Sequence, residues 1–237
     1  MAAVLHTSAG DLPVLLHFQT CPLAAFNFLA LCASGYYDGC TFYRHFPGVL
    51  LQTGDPTNTG KGGESVFAKL PGPSVADDAA VSAEAEAAVA AGVREGRYFP
   101  DEGFGATTHA QRGTLSMAHR GTKADTNASQ FFVTTSPQPS FDGVYTAFGV
   151  VDLHGVYSAA TSEVIDAAAS APDAPASDSP SSSSDTAAAQ CGDDVLRALE
   201  AAAADVDAKG LVQNSAQVRI LRTTVLYNPF AEGKMRL

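Results

Sequence analysis

The chain has no tryptophan, three methionines, four cysteines, and only 14 lysines and arginines among 237 residues. So few cations leave no basic stripe able to neutralise a nucleic-acid backbone, and no direct nucleic-acid partner is expected. No stretch approaches the roughly 20 unbroken apolar residues of a membrane span. The opening residues, Met1 to His6, lack the basic region and apolar run of a secretory leader. Cys21, Cys32, Cys40 and Cys191 show neither Cys-x-x-Cys spacing nor a companion histidine cluster. Free thiols in a reducing compartment are therefore expected, rather than zinc ligands or disulfides. A hydrolytic triad and a dinucleotide fingerprint are missing too. The glycines at 54, 60, 62 and 63 lack the Gly-x-x-x-x-Gly-Lys-Ser/Thr order of a phosphate loop.

The acids are plentiful but unevenly placed. Of the net charge of -11, residues 166–207 supply -8 and residues 71–97 supply -3, so the remainder is neutral. The acidity belongs to two Ala/Ser-rich inserts, placed at 71–97 and 166–210, that favour solubility and a monomer. The first opens with Pro-Gly-Pro-Ser and continues as an Ala/Glu run suited to a short surface helix. Residues 170–190 carry almost no apolar payload to offset ordering entropy and are expected to be disordered. Asp193 to Asp207 can return to helix, with Val195, Leu196 and Leu199 as its apolar face.

Outside the inserts the pattern is mainly β. Val4–Thr7 and Leu12–Phe18 flank a turn and read as a hairpin. Leu23–Ser34 follows Pro22 with helical period and stops at Gly35. Strands fit Thr41–Phe46, Leu50–Thr53, Thr114–Ala118, Phe131–Thr134, Thr146–Val151 and Gln217–Leu226, and a second helix fits Gly155–Ala169. Many short strands with two helices point to an antiparallel barrel, which removes exposed sheet edges.

Two stretches concentrate chemistry: Phe42 to Pro56, and Gly113 to Gly121 running on to Asn127–Thr134. Each sets a few polar groups, chiefly Arg44, Gln52 and Gln130, among aromatic and aliphatic residues. That mixture suits gripping an uncharged peptide and acting on its backbone. Rotation about an X–Pro amide faces a barrier of ~18–20 kcal/mol and needs neither a nucleophile nor a proton shuttle. A fixed, always-charged guanidinium such as Arg44 can stabilise the twisted amide, and a Gln such as Gln52 can hold the backbone beside it. Phe131 and Phe132 must face opposite sides of their strand, and strand period alone does not say which faces the core.

These stretches resemble the cyclophilin family of peptidyl-prolyl isomerases, in particular the small intracellular branch of cyclophilin-like protein 3, a spliceosome-associated form. The family pattern Phe-His-Arg-Val-Ile-Pro-Gly-Phe-Met-x-Gln-x-Gly-Asp appears as Phe42 to Asp55, and its Gly-x-Gly-Gly as Gly60 to Gly63. Phe-x-Asp-Glu is Phe99 to Glu102, Leu-Ser-Met-Ala-Asn is Leu115 to His119, and Asn-x-Ser-Gln-Phe-Phe-Ile is Asn127 to Val133. Leu-Asp-Gly and Val-Phe-Gly appear as Phe141 to Gly143 and Ala147 to Gly149. The resemblance runs from residue 3 to about 165, apart from the first insert, and resumes at Val212–Ala231.

The resemblance implies a closed eight-stranded antiparallel barrel capped by two helices, one domain over residues 1–231 with a tail at 232–237. It implies Arg44 and Gln52 as catalytic residues. Phe132 becomes the floor of a proline pocket, with Val49, Leu50, Phe141 and Tyr145 around it. Gly60, Ala118, His119, Arg120 and Gln130 fall on the wall that accepts preceding residues. No cofactor or metal is implied. The partners are proline-containing peptides and protein loops, with spliceosomal proteins among them, in the nucleus and/or the cytoplasm. The departures fall in that same groove: Val49-Leu50 for Phe-Met, His119 for Asn, Arg120 for Ala, Ser140 for an aromatic residue, Phe141 for Leu, and Tyr145 for His. They imply weaker binding of cyclosporin-type drugs and reduced turnover, with Phe141 refilling volume lost at Val49. The alternative reading is a catalytically weak Pro-peptide-binding scaffold in a spliceosomal or other RNA-processing complex.

Overall fold

The computed structural model describes residues 2–69, 97–157, 164–165, 190–235 and 237. Its centre is one curled antiparallel sheet of eight strands. In chain order these are β1 (Ala3–Thr7), β2 (Gly10–Leu16), β3 (Arg44–Phe46), β4 (Leu50–Thr53), β5 (Thr114–Met117), β6 (Phe131–Thr134), β7 (Ala147–Val151) and, after a small separate hairpin, β10 (Ile220–Val225). They lie side by side as β10-β1-β2-β7-β5-β6-β4-β3. The strands Leu50–Thr53 and Phe131–Thr134 coincide with their sequence reading. β1 begins one residue earlier than read, β2 is shifted two residues toward the N-terminus, and the others are trimmed by one to three residues at an end, where the chain enters turns.

Helix α1 (Pro22–Ala33) starts at the expected proline. Cys21 offers it no side-chain cap; instead the Glu102 carboxylate accepts the backbone N–H groups of Leu23 (2.9 Å) and Ala24 (2.8 Å). Two orphan donors of the first turn are thus satisfied from a loop 79 and 78 residues away. Phe28 of α1 packs against Tyr37, Phe131 and Phe148, with ring centroids 5.4–5.6 Å apart, and these side chains are fully buried.

Of the two helical readings that follow the strands, that over Asp193–Asp207 holds and that over Gly155–Ala169 does not where the chain is described. Within the span read as a helix from Gly155 to Ala169, the described residues Val156–Tyr157 (β8) and Val164–Ile165 (β9) pair as a short antiparallel ladder. Three of these four residues are β-branched, and extended backbone suits such side chains better than helix. Residues 158–163 and 166–169 lie outside the described residues, as do the Ala/Glu run at 71–96 and the Ser-rich stretch at 170–189. The helix that covers the sheet is α2 (Gly192–Ala202), which packs on β2. Val195, Leu196 and Leu199 are fully buried, and Asp193 and Asp194 occupy the first turn, where the helix dipole favours them. Arg112 ties α2 to the sheet, donating to Asp193 (2.7 Å), to Glu200 and to the Thr135 carbonyl (2.6 Å). Cys21, Cys32 and Cys40 are buried free thiols, and Cys191 is partly exposed.

Strand pairing decides where the site can be. Arg44 pairs with Gln52, Gln52 with Phe132, and Phe132 with Ser116, so one row crosses β3, β4, β6 and β5. Directly paired residues share a sheet face. The neighbouring row, Leu51, Val133 and Leu115, points the other way and is fully buried in the main core.

Leu199→Ala should lower the unfolding free energy by about 2–5 kcal/mol, since it empties a filled contact between α2 and the sheet; denaturant titration measures this. Glu102 supplies a pH signature. Burial raises its carboxyl to about 7 from 4.5, although the Ala24 and Leu23 N–H groups pull the other way. The folded state therefore holds this proton to higher pH than the unfolded chain, and its contribution to stability is lost as pH rises from about 4.5 to about 7. Glu102→Gln should flatten the pH slope of stability across that window, read by denaturation at several pH values.

Candidate active site

The outer face of this row carries a packed apolar cluster and, adjoining it, a polar chamber. Leu50, Ala118 and Phe132 form the buried cluster, with Val49, Phe141 and Tyr145 packed against it. Phe132, Phe141 and Tyr145 meet edge to face at centroid distances of 5.6, 5.4 and 5.3 Å. The choice between the two phenylalanines is settled: Phe131 enters the core and Phe132 enters this cluster. Phe141 does stand in one cluster with Val49, on a 3-10 turn over Pro139–Phe141.

The polar chamber is about 320 Å³ in volume and is lined by Arg44, Gln52, Gly60, His119, Arg120 and Gln130, among others. Ala118 belongs to both cluster and chamber. The twelve residues read from the sequence as catalytic or substrate-binding are therefore together on one face.

A hydrogen-bond chain organises the polar side. Arg44 Nη1 donates to Gln52 Oε1 at 3.5 Å. Gln52 Nε2 donates to the Tyr43 hydroxyl and, at 3.1 Å, to Gln130 Oε1. The Tyr43 hydroxyl donates to Gln130 Oε1 (2.6 Å), and Gln130 Nε2 donates to the Gly62 carbonyl (2.9 Å). The two glutamines thus have set orientations. Arg44 Cζ lies 5.9 Å from the Tyr43 ring centroid, and Arg44 Nε is buried with no hydrogen-bond partner.

The Gly54–Gly63 loop approaches this chain closely. Gly60 has φ +75°, and a Cβ there would come within 2.9 Å of the Tyr43 ring. Asp55 ties the loop together, accepting from the N–H groups of Thr57 (2.8 Å), Thr59 (3.2 Å) and Gly62 (3.1 Å).

Tyr43 was missed as a site residue. Its signal was present, since it replaces the His of the Phe-His-Arg pattern next to Arg44, but only the fold brings it to Gln130, 87 residues away. His109 was missed as well. Its ring stacks 6.3 Å from Phe132, Nδ1 meets Asp142 (2.8 Å), and Nε2 meets Ser116 Oγ (3.0 Å). Burial holds this imidazole below the usual histidine range, against the opposing pull of Asp142. It backs the pocket floor. His119 Nε2 meets Asp101 at 2.7 Å, and its ring lies 4.9 Å from that of Tyr145. Asp101 is itself bonded by Asn127 (2.8 Å) and by the N–H of Asp125 (3.0 Å).

Residues 2–175 match the family model described as cyclophilin type peptidyl-prolyl cis-trans isomerase. The chain is 41% identical over 155 residues to peptidyl-prolyl cis-trans isomerase CYP18-1 of Arabidopsis thaliana, covering 65% of this chain and 78% of that one. It is 40% identical over 151 residues to peptidyl-prolyl cis-trans isomerase-like 3 of Gallus gallus, covering 64% and 75%. A crystal structure of a cyclophilin type isomerase from Cryptosporidium parvum, obtained in the presence of the dipeptide Ala-Pro, superposes with a TM-score of 0.61 at 29% identity. That superposition covers 96% of this chain and 100% of the other. With a family model over most of its length, and an eight-stranded curled sheet carrying this groove, the chain belongs to the cyclophilin type peptidyl-prolyl cis-trans isomerases.

Proposed function

We infer that the chain accelerates cis–trans rotation about X–Pro bonds in peptides and protein loops, and that the apolar cluster and the polar chamber divide the work. The proline ring enters the cluster of Val49, Leu50, Phe132, Phe141 and Tyr145. The residues before it lie across Gln52 and Gln130. As the amide twists, conjugation is lost, the proline nitrogen regains a lone pair, and Arg44 stabilises that charge distribution from the side. The observation that carries this reading is the row in which Arg44, Gln52 and Phe132 are direct cross-strand neighbours. The unpartnered Arg44 Nε agrees with it, because a buried donor without an acceptor is costly unless a ligand supplies one. The Ala-Pro present with the Cryptosporidium parvum relative supports a proline peptide as the ligand.

The same reading takes the sheet as closed into a barrel. Gly39 N–H to the Ile220 carbonyl (2.8 Å), Phe42 N–H to the Val218 carbonyl (2.8 Å) and Ile220 N–H to the Cys40 carbonyl (2.9 Å) support it, since they join the segment entering β3 to the start of β10. Closure would hold Arg44 on a rigid wall rather than on a free edge.

Arg44→Ala should cut turnover of a proline-limited peptide by about 100-fold while the folded spectrum is unchanged. Exchange spectroscopy on the peptide measures this, and undiminished turnover would remove Arg44 from the mechanism. Phe141→Leu should reduce turnover about tenfold, because the smaller side chain gives up the ring contacts with Phe132 and Tyr145. Turnover equal to that of the parent would show that Phe141 does not complete the pocket.

A further inference from the structure

The chain as a whole is strongly acidic, yet the polar chamber beside the proline pocket is basic. Arg44, Lys61, Arg97 and Arg120 line it, and among the described residues no aspartate or glutamate does. Setting Arg44 aside as part of the inferred machinery, three cations remain. Arg97 donates to two neutral carbonyls, those of Gly63 and Lys61 (2.7 Å for the latter). Arg120 donates to the Tyr98 hydroxyl at 3.0 Å. The side chain of Tyr98 stands between them, with the Arg97 guanidinium 5.6 Å from its ring centroid. Among the described residues, no ion pair engages Lys61, Arg97 or Arg120. The carboxylate bonded to lining residue His119, Asp101, is already taken up by His119, Asn127 and the Asp125 N–H.

Uncompensated charge of one sign in a concave site raises the local concentration of the opposite sign. Two of the three guanidinium or ammonium groups are also positioned by neutral partners, which orient them without neutralising them. Their location fixes what they would read. The chamber shares Ala118 with the proline pocket and is lined by Gln52 and Gln130, which grip backbone in the isomerase reading. A peptide advances about 3.3–3.6 Å per residue, so the side chains that reach this chamber belong to the one or two residues before proline.

We propose that this chamber selects an anionic side chain, a carboxylate or a phosphorylated serine or threonine, shortly before the proline. The proposal rests on the isomerase reading for the direction in which the peptide lies. It makes Lys61, Arg97 and Arg120 specificity determinants and gives them no part in the rotation itself.

The test uses the full chain and a tetrapeptide series whose residue two places before proline is Glu, phosphoserine, Ala or Lys. Exchange spectroscopy gives kcat/KM for each. The Glu peptide should exceed the Lys peptide by about five- to tenfold at low ionic strength, with the ratio shrinking as salt is added. A phosphoserine peptide above the Glu peptide assigns the chamber to phosphorylated substrates; the reverse order assigns it to carboxylates. Lys61→Glu and Arg120→Glu should each bring the Glu-to-Lys ratio toward one or below it. A variant that merely folds poorly lowers both peptides alike and leaves the ratio in place. Equal turnover of the Glu and Lys peptides by the parent chain would overturn the proposal and leave the isomerase reading standing. If no peptide is turned over, that reading fails instead, and dissociation constants for the same series decide the question. Tighter binding of the Glu peptide than of the Lys peptide supports the proposal; equal binding overturns it.

Discussion

The antiparallel register linking β3, β4, β6 and β5 is the constraint on which the groove depends. Because side chains alternate faces along a strand, sliding β4 by one residue against β6 would turn Gln52 into the core and Leu51 out of it. Phe132 would lose its place opposite Gln52 at the same stroke. The register is held by the buried row Leu51, Val133 and Leu115 and by the end of β4. There Gly54 sits at φ +89°, where a Cβ would come within 2.5 Å of the Ser129 carbonyl oxygen. Core packing and site geometry are two sides of one pairing, so the groove cannot be re-registered without losing core burial.

On this frame the polar and apolar functions separate cleanly. The apolar cluster has His109 behind its floor, itself held between Asp142 and Ser116. The polar chamber has Tyr43 as its junction, meeting both Gln52 and Gln130. Each grip is oriented by bonds to other protein groups before a peptide arrives, which reduces the ordering cost of binding and of reaching the twisted state. An amide rotation asks for little more than this, since nothing is transferred.

The strands that build the site were legible because their signals are local. Leu50–Thr53 and Phe131–Thr134 are short, largely apolar runs bounded by turn residues, and Pro22 marks the start of α1. What local pattern could not supply was choice of face and choice of partner. Phe131 and Phe132 are chemically identical, and only the tertiary fold sends one to Phe28 and the other to Leu50. Tyr43 and His109 act through residues 87 and 33 positions away, beyond any periodicity. Gly155–Ala169 reads as a helix but its described residues pair as strands, whereas the helix Gly192–Ala202 was legible from Val195, Leu196 and Leu199, a narrow apolar face in a polar, Ala-rich stretch. Its contribution comes from where that narrow face docks and from Arg112, neither visible in its own composition.

Read one at a time, the groove's departures from the family pattern suggest damage: a smaller pair at Val49-Leu50, a histidine for an asparagine, a tyrosine for a histidine. As contacts, they adjoin one another. Phe141 shares the apolar cluster with Val49 and meets both Phe132 and Tyr145 edge to face. His119 fills the space beside Tyr145, and Asp101 fixes its ring. Substituting His119 alone would leave Asp101 without this partner and Tyr145 without its support. Neither loss would follow if the residue were an isolated polar group on the rim. The altered positions thus form connected neighbours on one wall, and substitutions among such neighbours are expected to couple rather than add.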